Sequence, residues 1–128
     1  MKILLADHHR DLLLMYRILL EQRGDEIVTA FDGTQVADYL REEPFDLMIL
    51  NADIPRVQSS QLLRMAKERQ IGTVSMINAP AGESPSESDG KQTVILFPFF
   101  PEELFEKIDE ARANVGAAGG GYGGDRDE

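Results

Sequence analysis

Five short apolar runs punctuate this chain at intervals too long for hairpins. They read KILLA (residues 2–6), EIVTA (26–30), FDLMIL (45–50), GTVSMIN (72–78) and TVILF (93–97). Continuous runs of this length suit strands buried on both faces, whereas a strand with one wet face alternates apolar and polar residues. Several of the intervening segments repeat their apolar residues at helical spacing. Strands alternating with helices require crossover connections, and these build a parallel sheet covered by helices. At 128 residues the chain is of the size expected for one hydrophobic core.

The first helix is predicted from Arg10 to Arg23, with Leu12, Leu13, Met15, Tyr16, Leu19 and Leu20 inward and Gly24 as its stop. Asp32 can cap a second helix over 34–42, with Val36, Ala37 and Leu40 inward, and Pro44 prevents its continuation. Ser59 or Ser60 is placed to cap a third, QLLRMAKERQ. Pro101 suits the first position of a last helix, with Glu102 and Glu103 in its first turn. Leu104, Phe105, Ile108, Ala111 and Val115 would form its buried side. One crossover breaks the pattern. APAGESPSESDGKQ (79–92) has almost nothing apolar to bury, so a loop is expected there in place of a helix. Residues 1–115 are read as the domain, and 116–128, with six glycines in thirteen residues, as a disordered tail or linker.

Composition removes several function classes. Thirteen basic against twenty-three acidic residues give a net charge of −10, which repels phosphate backbones, so direct nucleic-acid binding is not expected. Cysteine is absent, which excludes disulfides and thiolate metal sites. No apolar run is long enough to span a bilayer, and the run after Met1 stops at Ala6, too short for a signal peptide; a cytoplasmic protein is expected.

KILLAD with its Asp7, AFDGTQVADYL, FDLMILNADIP and FPFFPEELFEKI occur in an order and at separations that resemble the receiver domains of bacterial two-component response regulators. The resemblance covers residues 2 to about 115. It implies a doubly wound, five-stranded parallel sheet of the flavodoxin/CheY-like kind, in strand order 2-1-3-4-5. In open α/β sheets the ligand site lies at the carboxyl ends of the strands, which here carry Asp7, His8, Asn51, Asn78 and Phe97. The resemblance implies an acid pair, a phospho-accepting aspartate, a hydroxyl residue and a lysine at these places. Of that set only Asp7 is present. His8 stands for the second acid, Asn51 for the nucleophile, Asn78 for the hydroxyl and Phe97 for the lysine. Val94 stands where the family's switching aromatic residue is expected.

An amide cannot form an acyl phosphate, and phenylalanine supplies neither charge nor donors. The residues therefore point to a pseudo-receiver: a signalling module that works without phosphorylation, through protein partners, a second copy of the chain being one candidate. Phe99, Phe100, Glu103 and Glu106 are the expected contact residues, near the altered 79–92 segment. The alternative is a small-molecule sensor or enzyme using the pocket of Asp7, His8, Asn51 and Asn78, against which a Phe97 plug weighs. No cofactor is expected, and no metal, on the reasoning that His8 and His9 point to opposite sides at a strand end. Asp53 is expected to be solvated.

Overall fold

The computed structural model describes residues 1–78 and 93–119. Its elements are β1 (Lys2–Ala6), α1 (Arg10–Gln22), β2 (Glu26–Ala30), α2 (Gly33–Glu42), β3 (Leu47–Asn51), α3 (Ser59–Glu68), β4 (Gly72–Asn78), β5 (Thr93–Phe97) and α4 (Pro101–Gly119). The strands form one parallel sheet in the order β2-β1-β3-β4-β5, as the resemblance implies. The expected loop over 79–92 lies outside the described residues. Among the described residues, no helix is long and apolar enough to cross a membrane.

Side chains alternate across a strand, so each apolar run feeds two cores. Ile3, Leu5, Leu47 and Ile49 face one way and meet Leu13, Tyr16 and Leu20 of α1 with Leu104, Ile108 and Ala111 of α4. Leu4, Ala6, Met48 and Leu50 face the other way and meet Val36, Ala37 and Leu40 of α2 with Leu62 and Ala66 of α3. Two buried faces explain why the runs are continuous.

Local signals mostly act as expected. The Asp32 side chain accepts from the Gln35 N–H at 2.9 Å, capping α2. Gly24 follows α1 with φ +102°, a conformation that favours glycine. Gly33 is required by space: a Cβ there would lie 2.6 Å from Val57 Cβ, and the Gly33 N–H donates to Pro55 O at 2.8 Å.

Four expectations change. The third strand is Leu47–Asn51 rather than 45–50. Its pairing with β1 starts at Ile3 and Leu47, the Asp46 carboxylate takes the Lys2 N–H, and the ladder with β4 runs on to Asn51. Neither Ser59 nor Ser60 caps α3; the helix begins at Ser59, and the Gln58 carbonyl closes its first turn. Met15 is 47% exposed, because α1 buries only the stripe of Leu13, Tyr16 and Leu20. Finally, α4 continues to Gly119, four residues into the stretch read as tail, while residues 120–128 lie outside the described set.

Candidate functional site

Register brings the chain's odd residues together. Ala6 pairs with Leu50, so Asp7 and Asn51 emerge side by side at the carboxyl end of the sheet, and Asn78 pairs with Phe97 in the neighbouring ladder. The side chain of Asn78 is outside the described residues.

Asp7 is buried, and one carboxylate oxygen, Oδ1, gathers its neighbours. It accepts from the His9 backbone N–H at 2.9 Å and from Asn51 Nδ2 at 3.3 Å, and His9 Nδ1 lies 2.9 Å away. A carboxylate oxygen can only accept, so the His9 ring meets it through Nδ1–H. His8 Nδ1 is 3.8 Å from the same oxygen, too far for a hydrogen bond, and is buried with no hydrogen-bond partner. Its ring lies against that of His9, with centroids 4.1 Å apart. Consecutive side chains diverge only while the chain remains a strand, and β1 ends at Ala6. On the turn into α1, both imidazoles come to the same carboxylate, which corrects the expectation that they point apart.

Asn51 is held at both ends. Its Oδ1 accepts from the Asp53 N–H at 2.8 Å while its amide nitrogen faces Asp7. Asp53 thus contributes its backbone, and its side chain is exposed as expected.

Beside these groups is a cavity of about 140 Å³, with Asp7, His9 and Asn51 as its polar wall. Among the described residues, Leu12, Tyr16, Met76 and Phe97 also line it, with no lysine or arginine among them. His9, Tyr16 and Met76 were not among the site residues read from the sequence. Met76 had a usable signal: it lies two residues before Asn78 in β4, hence on the same face of the sheet. Phe97 is only partly buried, so it narrows the cavity rather than filling it. Phe99 packs edge-on against Phe97 and stacks on Tyr16, with centroids 6.1 and 5.5 Å apart. Phe100 is 73% exposed, and Glu103 and Glu106 are exposed on α4. Phe100 also serves as the start of that helix, donating its N–H to Glu103 Oε1 at 3.2 Å. Val94 is partly buried in β5.

Tyr16 carries the site's resolved titration shift. Burial, and secondarily the charge of Asp7, push its phenol up from 10.0 to about 12. The folded state therefore holds its proton while the unfolded chain loses it. Tyr16 contributes no loss of stability below pH 10.0, and stability falls as pH rises from there to about 12. Alkaline absorbance titration should show one tyrosine ionising near pH 12, missing in Tyr16→Phe. In Asp7→Asn that tyrosine should still ionise above the ordinary value, because burial is the larger cause.

No family model matches the chain. The response regulator GtcR of Aneurinibacillus migulanus is 28% identical over 109 residues, covering 83% of this chain and 45% of that protein. A response regulator receiver domain protein (CheY-like) from Methanospirillum hungatei JF-1 superposes with a TM-score of 0.76 at 22% identity, covering 91% of this chain and 96% of the other. The receiver domain of a sensor histidine kinase from Pseudomonas aeruginosa PAO1, with a magnesium ion coordinated in its active-site cleft, gives a TM-score of 0.72 at 15% identity. That match covers 88% of this chain and 97% of the other. The chain spans less than half the length of the curated relatives it matches.

Proposed function

We propose a function from one premise: in fold and in sequence likeness the chain is a response-regulator receiver (CheY-like) domain. It is a signalling module that works without phosphorylation, as a non-enzymatic binding domain for protein partners. The observation that carries this reading is Asn51. The strand end that faces Asp7 holds a carboxamide, fastened between Asp7 Oδ1 and the Asp53 N–H. It offers no anionic oxygen for attack on phosphorus, and no lysine or arginine among the described residues lines the cavity to bind a phosphoryl group.

The cavity of about 140 Å³ also weighs against a small-molecule sensor or enzyme, since ordinary ligand pockets occupy roughly 300–1,000 Å³. The surface around the start of α4 suits a protein partner better. There a large exposed aromatic, Phe100, stands beside Glu103 and Glu106, and an aromatic anchor ringed by polar groups is a common interface pattern.

Capture of partners from the native host with the tagged chain tests this reading, with and without acetyl phosphate. The partner set should be the same in both, and should be lost with Phe100→Ala combined with Glu103→Lys and Glu106→Lys. A partner set that changes with the phosphodonor, or survives the triple variant, would overturn it.

A further inference from the structure

The groups around Asp7 do not suit Mg²⁺, a hard ion that takes six oxygens in near-octahedral array. The Asn51 oxygen is turned to the Asp53 N–H, and the groups next in reach of Asp7 are imidazole nitrogens rather than oxygens. We propose instead that Asp7, His8 and His9 form a binding site for a transition-metal dication of the Zn²⁺ class, which accepts nitrogen and carboxylate oxygen together.

Geometry carries the proposal. One ligand atom from each of the three residues lies within 4.8 Å of the other two. Tetrahedral bonds of about 2.0–2.1 Å place neighbouring ligand atoms roughly 3.3 Å apart. The separations from Asp7 Oδ1 to the two Nδ1 atoms, 2.9 and 3.8 Å, bracket that value, so small ring movements would seat an ion. His8 Nδ1 is buried without a hydrogen-bond partner, as an open ligand position would be. Asp7 is buried, and among the described residues the two imidazoles are the basic nitrogen side chains within ion-pair reach of it, with no lysine or arginine. A buried carboxylate without a firm cation is costly, and a dication would supply the charge. The ion would replace the proton on His9 Nδ1, and the adjoining cavity leaves room for water at a fourth position. Asn51, through its bond to Asp7, would orient that carboxylate from outside the ligand set.

The test uses the full chain, freed of metal with a chelator and titrated with Zn²⁺ against a chromophoric competitor, with Co²⁺ as an absorbance probe and Mg²⁺ as control. One Zn²⁺ should bind per chain, Co²⁺ should develop tetrahedral visible bands, and Mg²⁺ should not displace either ion at equal concentration. Imidazole NMR signals locate the site, because the chain has only two histidines. Both should shift with stoichiometric Zn²⁺. Asn51→Ala should weaken binding on the order of 10–100-fold, as loss of an orienting partner does. His8→Asn combined with His9→Asn should weaken it at least as much, while asparagine still suits the start of α1. Undisturbed imidazole signals, Zn²⁺ affinity unchanged in the folded double variant, or displacement by equimolar Mg²⁺ would each overturn the proposal.

Discussion

Acetyl phosphate or phosphoramidate in large excess should leave the intact mass of the chain unchanged. Transfer needs an anionic oxygen in line with phosphorus and cations to take up the developing charge. Asn51 supplies a neutral amide whose oxygen and nitrogen are already bonded, and among the described residues the cavity beside it has no lysine or arginine. The single substitution Asn51→Asp should not by itself confer transfer. It replaces the amide nitrogen 3.3 Å from Asp7 Oδ1 with oxygen, which turns a hydrogen bond into an encounter of two carboxylates. Loss of a donor to a buried carboxylate costs about 1–3 kcal/mol, so this variant should also be less stable in urea. Mass spectrometry decides the matter. A gain of one phosphoryl group on the unaltered chain, removable by hydroxylamine, would show a working acyl-phosphate site.

Phe97→Lys should destabilise the chain by about 2 kcal/mol, and less when Asn51→Asp is present. A fully buried phenylalanine truncated to alanine costs about 3–5 kcal/mol. Phe97 is only partly buried, so the smaller loss applies. It still packs against the core beneath α1 and α4 and lies edge-on to Phe99, contacts that a lysine stem replaces poorly. The new ammonium would enter the cavity facing Asp7, and a second carboxylate at position 51 would give it another counter-charge. Neighbours sharing one site are non-additive by about 0.5–3 kcal/mol. Urea melts of the two single variants and the double variant complete the cycle. Strict additivity would mean that position 97 does not face the Asp7–Asn51 pair.

The sheet was legible because its signals are local and redundant. Strands buried on both faces are predominantly apolar, with Ser75 and Thr93 as small buried exceptions here, and helices lying on a sheet must show one apolar stripe. KILLA, GTVSMIN and TVILF therefore became strands at the residues expected. The limits of FDLMIL were less legible because pairing partners set them. Asn51 belongs to β3 through its register with Met76, a residue distant in sequence. Met15 satisfied the helical spacing of α1 equally well, yet only the position of the sheet determines which side of an apolar helix is covered.

The site divides in the same way. The sequence by itself determined which chemical groups reach the carboxyl ends of the strands: one acid at Asp7, an amide at Asn51 and an aromatic ring at Phe97. That follows from residue identity and strand order alone. Only the tertiary structure decided how those groups are used. It set His8 and His9 against a single carboxylate oxygen, because the chain leaves β1 at Ala6 and turns before α1 begins. It brought Tyr16 and Met76 to the cavity and left Phe97 half-covered at its edge. Side-chain direction after a strand ends depends on the turn that follows, and a turn is fixed by long-range packing rather than by the spacing of residues along the chain.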